Sequence, residues 1–174
     1  MRFAKGYILD MKKETYIKIT GLIRDDERKI KLIRVVNRLL TGFVFLLYPL
    51  FLLLLLIQRN SFFIRAVLVP AISFVAVSVF RHILNVPRPY EKFEIAPAIE
   101  KETHGKSFPS RHVFSVFVIA MTIFYVYTNV GILLCIIGIL LGIIRVIGGV
   151  HEPRDIIAGA LIGILSGLVG FYLF

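Results

Sequence analysis

Leu39 to Ile57 reads LLTGFVFLLYPLFLLLLLI and carries no charge. A helix rises about 1.5 Å per residue, so about 20 apolar residues cross a hydrocarbon core of about 30 Å. The stretch therefore predicts a membrane-spanning helix. Four more apolar runs follow: Phe62 to Phe80, with Arg65 near its start and Pro70 inside; Val113 to Tyr127, extending back through Pro109; Val130 to Ile147, with Arg145 near its end; and Ile156 to Phe174. Backbone groups in lipid must be paired within their own segment, which favours helices. Barrel strands would alternate apolar and polar residues, and these runs do not. The expected fold is an all-α integral-membrane bundle of about five transmembrane helices.

Composition agrees. The chain is 57% hydrophobic and 18% charged, where a soluble domain carries about 45–50% and about 25%. This argues against a soluble globule and excludes disorder. A single cysteine, Cys135, excludes an intrachain disulfide and a Cys-based zinc or iron–sulfur cage. The net charge of +10 on so apolar a chain suits anionic headgroups or phosphates, not nucleic acid. Met1 to Asp10 has no apolar signal-peptide core, so the N-terminus is expected to be retained. In residues 15–38, Ile19, Leu22, Ile23, Ile30 and Ile33 recur at helical spacing with Arg24, Arg28, Lys31 and Arg34 between them. This predicts a basic amphipathic helix, either on an anionic membrane surface or capping the bundle. The chain divides accordingly into a basic segment, 1–38, and a transmembrane domain, 39–174. Gly138 and Gly142, then Gly159, Gly163 and Gly167, fall at helical spacing and are read as close helix packing within the bundle.

Polar residues gather at span ends. After the second span comes Arg81 to Pro89; before the third, Phe108-Pro109-Ser110-Arg111-His112; around the fourth and fifth, Arg145 and then His151 to Asp155. If each span reverses direction, all three groups reach one membrane face. Ionisable residues there are candidates for function. Arg81, Arg88 and Arg145 supply guanidinium forks that match phosphate oxygens. Ser110, after Pro109, is expected in the first turn of span three, where free backbone N–H groups favour anions. His112 and His151 can act as acid, base or nucleophile near neutral pH. Asp155, four residues after His151, is expected on the same helix face, orienting the imidazole. Arg59 and Arg154 read as arginines reaching headgroups, and His104 as a solvated loop residue. Glu100, Glu102 and His104 have metal-ligand side chains, but their spacing in a polar loop is ordinary.

These residues resemble the type-2 phosphatidic acid phosphatase family. Its motifs are Lys, six residues, Arg-Pro; Pro-Ser-Gly-His; and Ser-Arg, five residues, His, three residues, Asp. Here they stand as Arg81 with Arg88-Pro89, as Pro109-Ser110-Arg111-His112, and as Arg145 with His151 and Asp155. The resemblance implies that His151 attacks phosphorus to form a phosphohistidine and Asp155 orients it. It implies that His112 protonates the leaving group and that Arg81, Arg88, Ser110 and Arg145 hold phosphate, with no metal or other cofactor. Three positions depart: Arg81 for Lys, Ile144 for Ser, and Arg111 for Gly. Arg111 is expected either to turn aside or to add a guanidinium suited to a second anionic group.

The expected function is hydrolysis of a lipid phosphate monoester or diphosphate, such as phosphatidylglycerophosphate, phosphatidic acid or an isoprenyl diphosphate. The alternative is a non-enzymatic anion- or lipid-binding protein or transporter using the same arginines. The expected location is a multi-pass position in the cell membrane, in contact with membrane lipids. Of the 21 Lys/Arg, only Arg59 and Arg65 lie on the face opposite the polar clusters, so charge places the site on the cytoplasmic side.

Overall fold

The computed structural model describes residues 11–99 and 103–173. Every regular element among them is helical: α1 (Lys13–Arg24), α2 (Glu27–Ile57), α3 (Phe63–Leu84), the short α4 (Pro89–Phe93), α5 (Arg111–Phe124), α6 (Thr128–Ile147) and α7 (Pro153–Leu168), followed by a π-helical turn over Val169–Leu173. The all-α membrane bundle is therefore present. Four helices are long and apolar enough to cross a membrane. The third expected span differs. Its helix, α5, has 14 residues and a length of about 21 Å, too short to cross alone. Residues 103–110 lead into it as an irregular segment at the polar end of the bundle.

The basic stretch 15–38 also differs from one amphipathic helix. Asp26 accepts hydrogen bonds from the Arg28 and Lys29 amides at 2.9 and 3.3 Å, which makes it the N-cap that begins a new helix. The stretch thus splits: α1 stands alone, and residues 27–38 are the first turns of α2, which runs through residue 38 without a break. One face of α1 buries Tyr16, Thr20 and Ile23 while Ile17 and Leu22 remain exposed. Met1 to Asp10 lies outside the described residues.

The bundle is built around α5, whose residues Val113 to Ile123 are all buried. Glycines let its neighbours approach. A Cβ at Gly138 of α6 would lie 2.8 Å from the Phe117 ring, and one at Gly163 of α7 would lie 2.8 Å from the Phe114 carbonyl oxygen. Any larger residue would push the backbones apart. The outer faces of α2, α3, α6 and α7 present Leu46, Ile72, Ile139 and Leu165, the all-round apolarity of helices set in lipid. The chain reverses at each long helix, so the end of α3, the start of α5, the end of α6 and the start of α7 meet at one end.

Candidate active site

The α6–α7 connection, residues 148–152, carries His151. Gly149 adopts φ +77°, open to glycine at little steric cost. Pro153 then occupies the first position of α7, where its missing N–H costs nothing. His151 precedes the helix, so it does not share a helical face with Asp155 as expected. Asp155 instead reaches back from the third helical position. Its Oδ2 accepts from the Glu152 amide at 3.1 Å and lies 3.2 Å from His151 Nδ1. One capping carboxylate thereby starts α7 and orients the imidazole.

Ser107 completes the arrangement. Its hydroxyl donates to Asp155 Oδ2 at 2.5 Å and lies 3.4 Å from His151 Nδ1. On the other side of the ring, His151 Nε2 lies 3.5 Å from Arg88 Nη1. A carboxylate at Nδ1 and a guanidinium at Nε2 assign the proton to Nδ1 and leave the Nε2 lone pair facing the cation. Burial holds His151 down to about 4 from the ordinary histidine range, against the opposing pull of Asp155. The imidazole is therefore neutral at pH 7, the state a nucleophile needs.

The arginines divide by what they touch. Arg81 is buried, and its guanidinium donates to the carbonyls of Lys106, Ser107 and Pro109. It fixes the segment that carries Ser107 and Ser110. Arg88 donates to Gly105 O at 3.1 Å and Val150 O at 3.2 Å while facing His151. Its own amide is held by Glu91 Oε2 at 2.7 Å, and Glu91 also accepts from Gly105 N. Arg145 is buried with no hydrogen-bond partner at Nε. Arg111 is exposed, its guanidinium 5.6 Å from the Phe74 ring centre, and so stands outside the buried cluster.

Ser110 is the N-cap of α5, not part of its first turn. Its N–H is taken, donating to Asp155 O at 2.8 Å. Its hydroxyl is buried without a partner. That amide bond ties the start of α5, whose second residue is the half-buried His112, to the start of α7. Two helix N-termini thus point to one place, which favours an anion. His104 bonds Glu91 at 3.0 Å, and Glu100 and Glu102 lie outside the described residues.

The family model of the PAP2 superfamily matches residues 62–174. The chain belongs to this superfamily. It is 32% identical over 110 residues to the bacitracin transport permease protein BcrC of Bacillus licheniformis, a match that covers 61% of this chain and about half (54%) of that relative's length. Among solved structures, Aquifex aeolicus LpxE has a TM-score of 0.74 and 27% identity, with 95% of this chain and 98% of that one covered. The PAP2-type phosphatidylglycerolphosphate phosphatase of Bacillus subtilis has a TM-score of 0.71 and 22% identity, covering 91% and 82%, and shares the fold. The protein is thus a multi-pass membrane protein of a lipid phosphatase family whose phosphatases are hydrolases.

Sequence reasoning missed Ser107, Glu91 and Glu152. Each sits in a loop or at a short helix end, where no periodicity marks it. Only the run of the chain past Asp155 or Arg88 brings it in.

Proposed function

We propose that the protein is a metal-independent lipid phosphatase acting through a phosphohistidine. The observation that carries this reading is the buried His151–Asp155 pair, 3.2 Å apart, with the free ring nitrogen turned towards Arg88. Binding alone has no use for an oriented, neutral imidazole. Nε2 of His151 attacks phosphorus and the bond from phosphorus to the leaving oxygen breaks. His112 gives that oxygen a proton, then takes one from the water that splits the phosphorus–nitrogen bond. Arg81, Arg88, Arg145 and Ser110 hold the phosphoryl oxygens and the charge that develops on them, the largest expected contribution. The arginines supply that charge without a metal.

The substrate proposed is a phosphate or diphosphate of a lipid, from the set of phosphatidic acid, phosphatidylglycerophosphate and isoprenyl diphosphates. The transmembrane phosphatase domain is proposed to run from residue 39, with the basic segment 1–38 preceding it. Charge asymmetry favours a cytoplasmic site in the cell membrane. The transport name of the Bacillus licheniformis relative favours the second reading, an anion-binding or transporting protein. Both are separated by one assay: phosphate release from that lipid panel by detergent-purified protein with EDTA present. Release, and its inhibition by vanadate as a transition-state mimic, is expected. Binding without release would leave the transport reading.

A further inference from the structure

The loop that holds His151 is tied at both flanks to the N-terminal segment, outside the family-matched residues 62–174. Tyr16 of α1 is 1% exposed. Its hydroxyl donates to Gly149 O at 3.2 Å, with Ile95 O at 3.4 Å. Burial pushes that hydroxyl up to about 12, so it stays a donor. Its ring packs against Phe93 with centroids 5.2 Å apart, which fixes the hydroxyl's direction. The fit at the loop is close: a Cβ on Gly149 would lie 2.6 Å from the Tyr16 oxygen. On the other flank, the Met11 amide donates to Glu152 Oε2 at 3.2 Å. Lys92 and Arg154 hold the same buried carboxylate at 3.5 and 3.1 Å. Residues 149 and 152 are thus each pinned from the N-terminal segment, with His151 between them.

We infer that Tyr16 is a positioning residue for the phosphatase reaction, holding the His151 loop through Gly149, and that α1 is a built part of the active site. The inference rests on His151 acting as the nucleophile. Position matters at this range, since about 1 Å of displacement at a reacting atom can cost about 100-fold in rate. A ring of phenylalanine at position 16 keeps the packing on Phe93 and removes only the hydroxyl that bonds Gly149 O and Ile95 O.

The test compares Tyr16→Phe with Tyr48→Phe. Tyr48 also donates a buried-end hydroxyl to a carbonyl, Ala66 O, at 2.7 Å, but joins α2 to α3 away from the site. Both variants lose one hydroxyl donor to backbone carbonyl, so a purely structural role predicts similar small falls in melting temperature and unchanged kcat for both. The expected result is a fall of about tenfold in kcat for Tyr16→Phe, with KM within about twofold, and no change for Tyr48→Phe. The acid limb of the kcat/KM profile should also rise for Tyr16→Phe alone. A loosened loop admits water to His151, whose surroundings are otherwise Asp155 of α7, Arg88 before α4, Arg145 of α6 and Ser107. Wild-type kcat and an unmoved acid limb in Tyr16→Phe, with His151→Ala inactive, would overturn the role of Tyr16 and leave the phosphatase reading standing. Wild-type turnover by His151→Ala would overturn both.

Discussion

Both ends of the bundle hold arginines inside a membrane protein, and they are used in opposite ways. At the end away from the site, Arg65 donates to Gly170 O and Phe171 O at 3.0 and 2.9 Å and lies 5.9 Å from the Tyr125 ring. Phe62, Phe171 and Tyr172 pack against that Tyr125 ring, with Phe62 and Tyr125 stacked at 4.7 Å. Arg65 satisfies carbonyls at the end of the last helix, where a cation belongs. At the other end, Arg145 Nε and Ser110 Oγ are buried with no partner. Buried polar groups are normally paired. A cation bonded to helix-end carbonyls, as Arg65 is, stabilises the fold, whereas Arg145, close to Arg88, has an unmade bond that an anion would satisfy. The difference between the two ends supports the proposed phosphate site on grounds other than its motifs.

The largest effect expected from this contrast is at the nucleophile. His151→Ala should abolish turnover while the purified protein keeps its helical content and melting temperature. Asp155→Asn should cost about 10³–10⁴-fold in kcat, because an amide can hold the wrong tautomer. Asp155 also caps α7 through the Glu152 amide, so this variant should melt lower as well. Wild-type turnover in either purified variant would show that the paired end is not the catalytic one.

The sharpest test of the comparison swaps the two arginines' fates. Arg145→Ala should cost about 10²–10³-fold in kcat/KM, the scale of losing a donor to developing charge, with little loss of stability because Nε has no partner to orphan. Arg65→Ala should leave kcat per folded molecule unchanged and lower stability by about 1–3 kcal/mol, since it strands the carbonyls of Gly170 and Phe171. Thermal melts and kinetics on the same two preparations decide it. If Arg65→Ala is the less active and Arg145→Ala the less stable, the assignment of the two ends is reversed.

A smaller and graded effect is expected from pH. His151 titrates near 4 in the folded protein and near 6.5 when unfolded. Between those values the unfolded chain binds a proton that the folded chain refuses, so stability falls as pH drops through that window. The folded imidazole stays mostly neutral until the pH nears 4, so the acid limb of kcat/KM should lie well below pH 6. An acid limb at 6.5 or above would mean that His151 is solvated in the working enzyme.

Much of this was legible in the sequence because membrane constraint is strong. Uninterrupted runs such as Leu39 to Ile57 have few alternatives in lipid, and direction reversal alone brings three motifs to one face. What could not be read depended on helix ends. Asp26 divides the basic stretch because its carboxylate caps α2, and nothing in the periodicity of Ile19, Ile23, Ile30 and Ile33 signals that break. Asp155 orients His151 from a capping position and not along a helix face, since Pro153 starts α7 two residues later than the spacing suggests. α5 ends at Phe124 although apolar residues continue to Tyr127, so hydropathy overstated its length. Arg81 matched a phosphate-binding position by motif, yet the structure shows it also holding three carbonyls, a role that a charge alone does not announce.

The smallest effect concerns Arg111, which stands where the family carries glycine. Two uses were open to it: turning aside, or reading a second anionic group. Its guanidinium lies over Phe74, on the exposed flank of α3, which is the turned-aside position. The backbone N–H that the family takes from glycine is still present in arginine. Arg111→Gly should therefore retain turnover on simple lipid monophosphates within about threefold, since an exposed cation contributes little on its own. Losing a cation–π contact at the helix start should cost at most about 1 kcal/mol of stability. The comparison of the two ends becomes sharper if substrates are varied. If Arg111 instead reads a second anionic group, diphosphates should lose more than monophosphates, by about five- to tenfold in KM, the scale of one charged hydrogen bond. Equal KM values for wild type and Arg111→Gly across monophosphates and diphosphates would place Arg111 with Arg65, among the arginines that serve the fold and not the substrate.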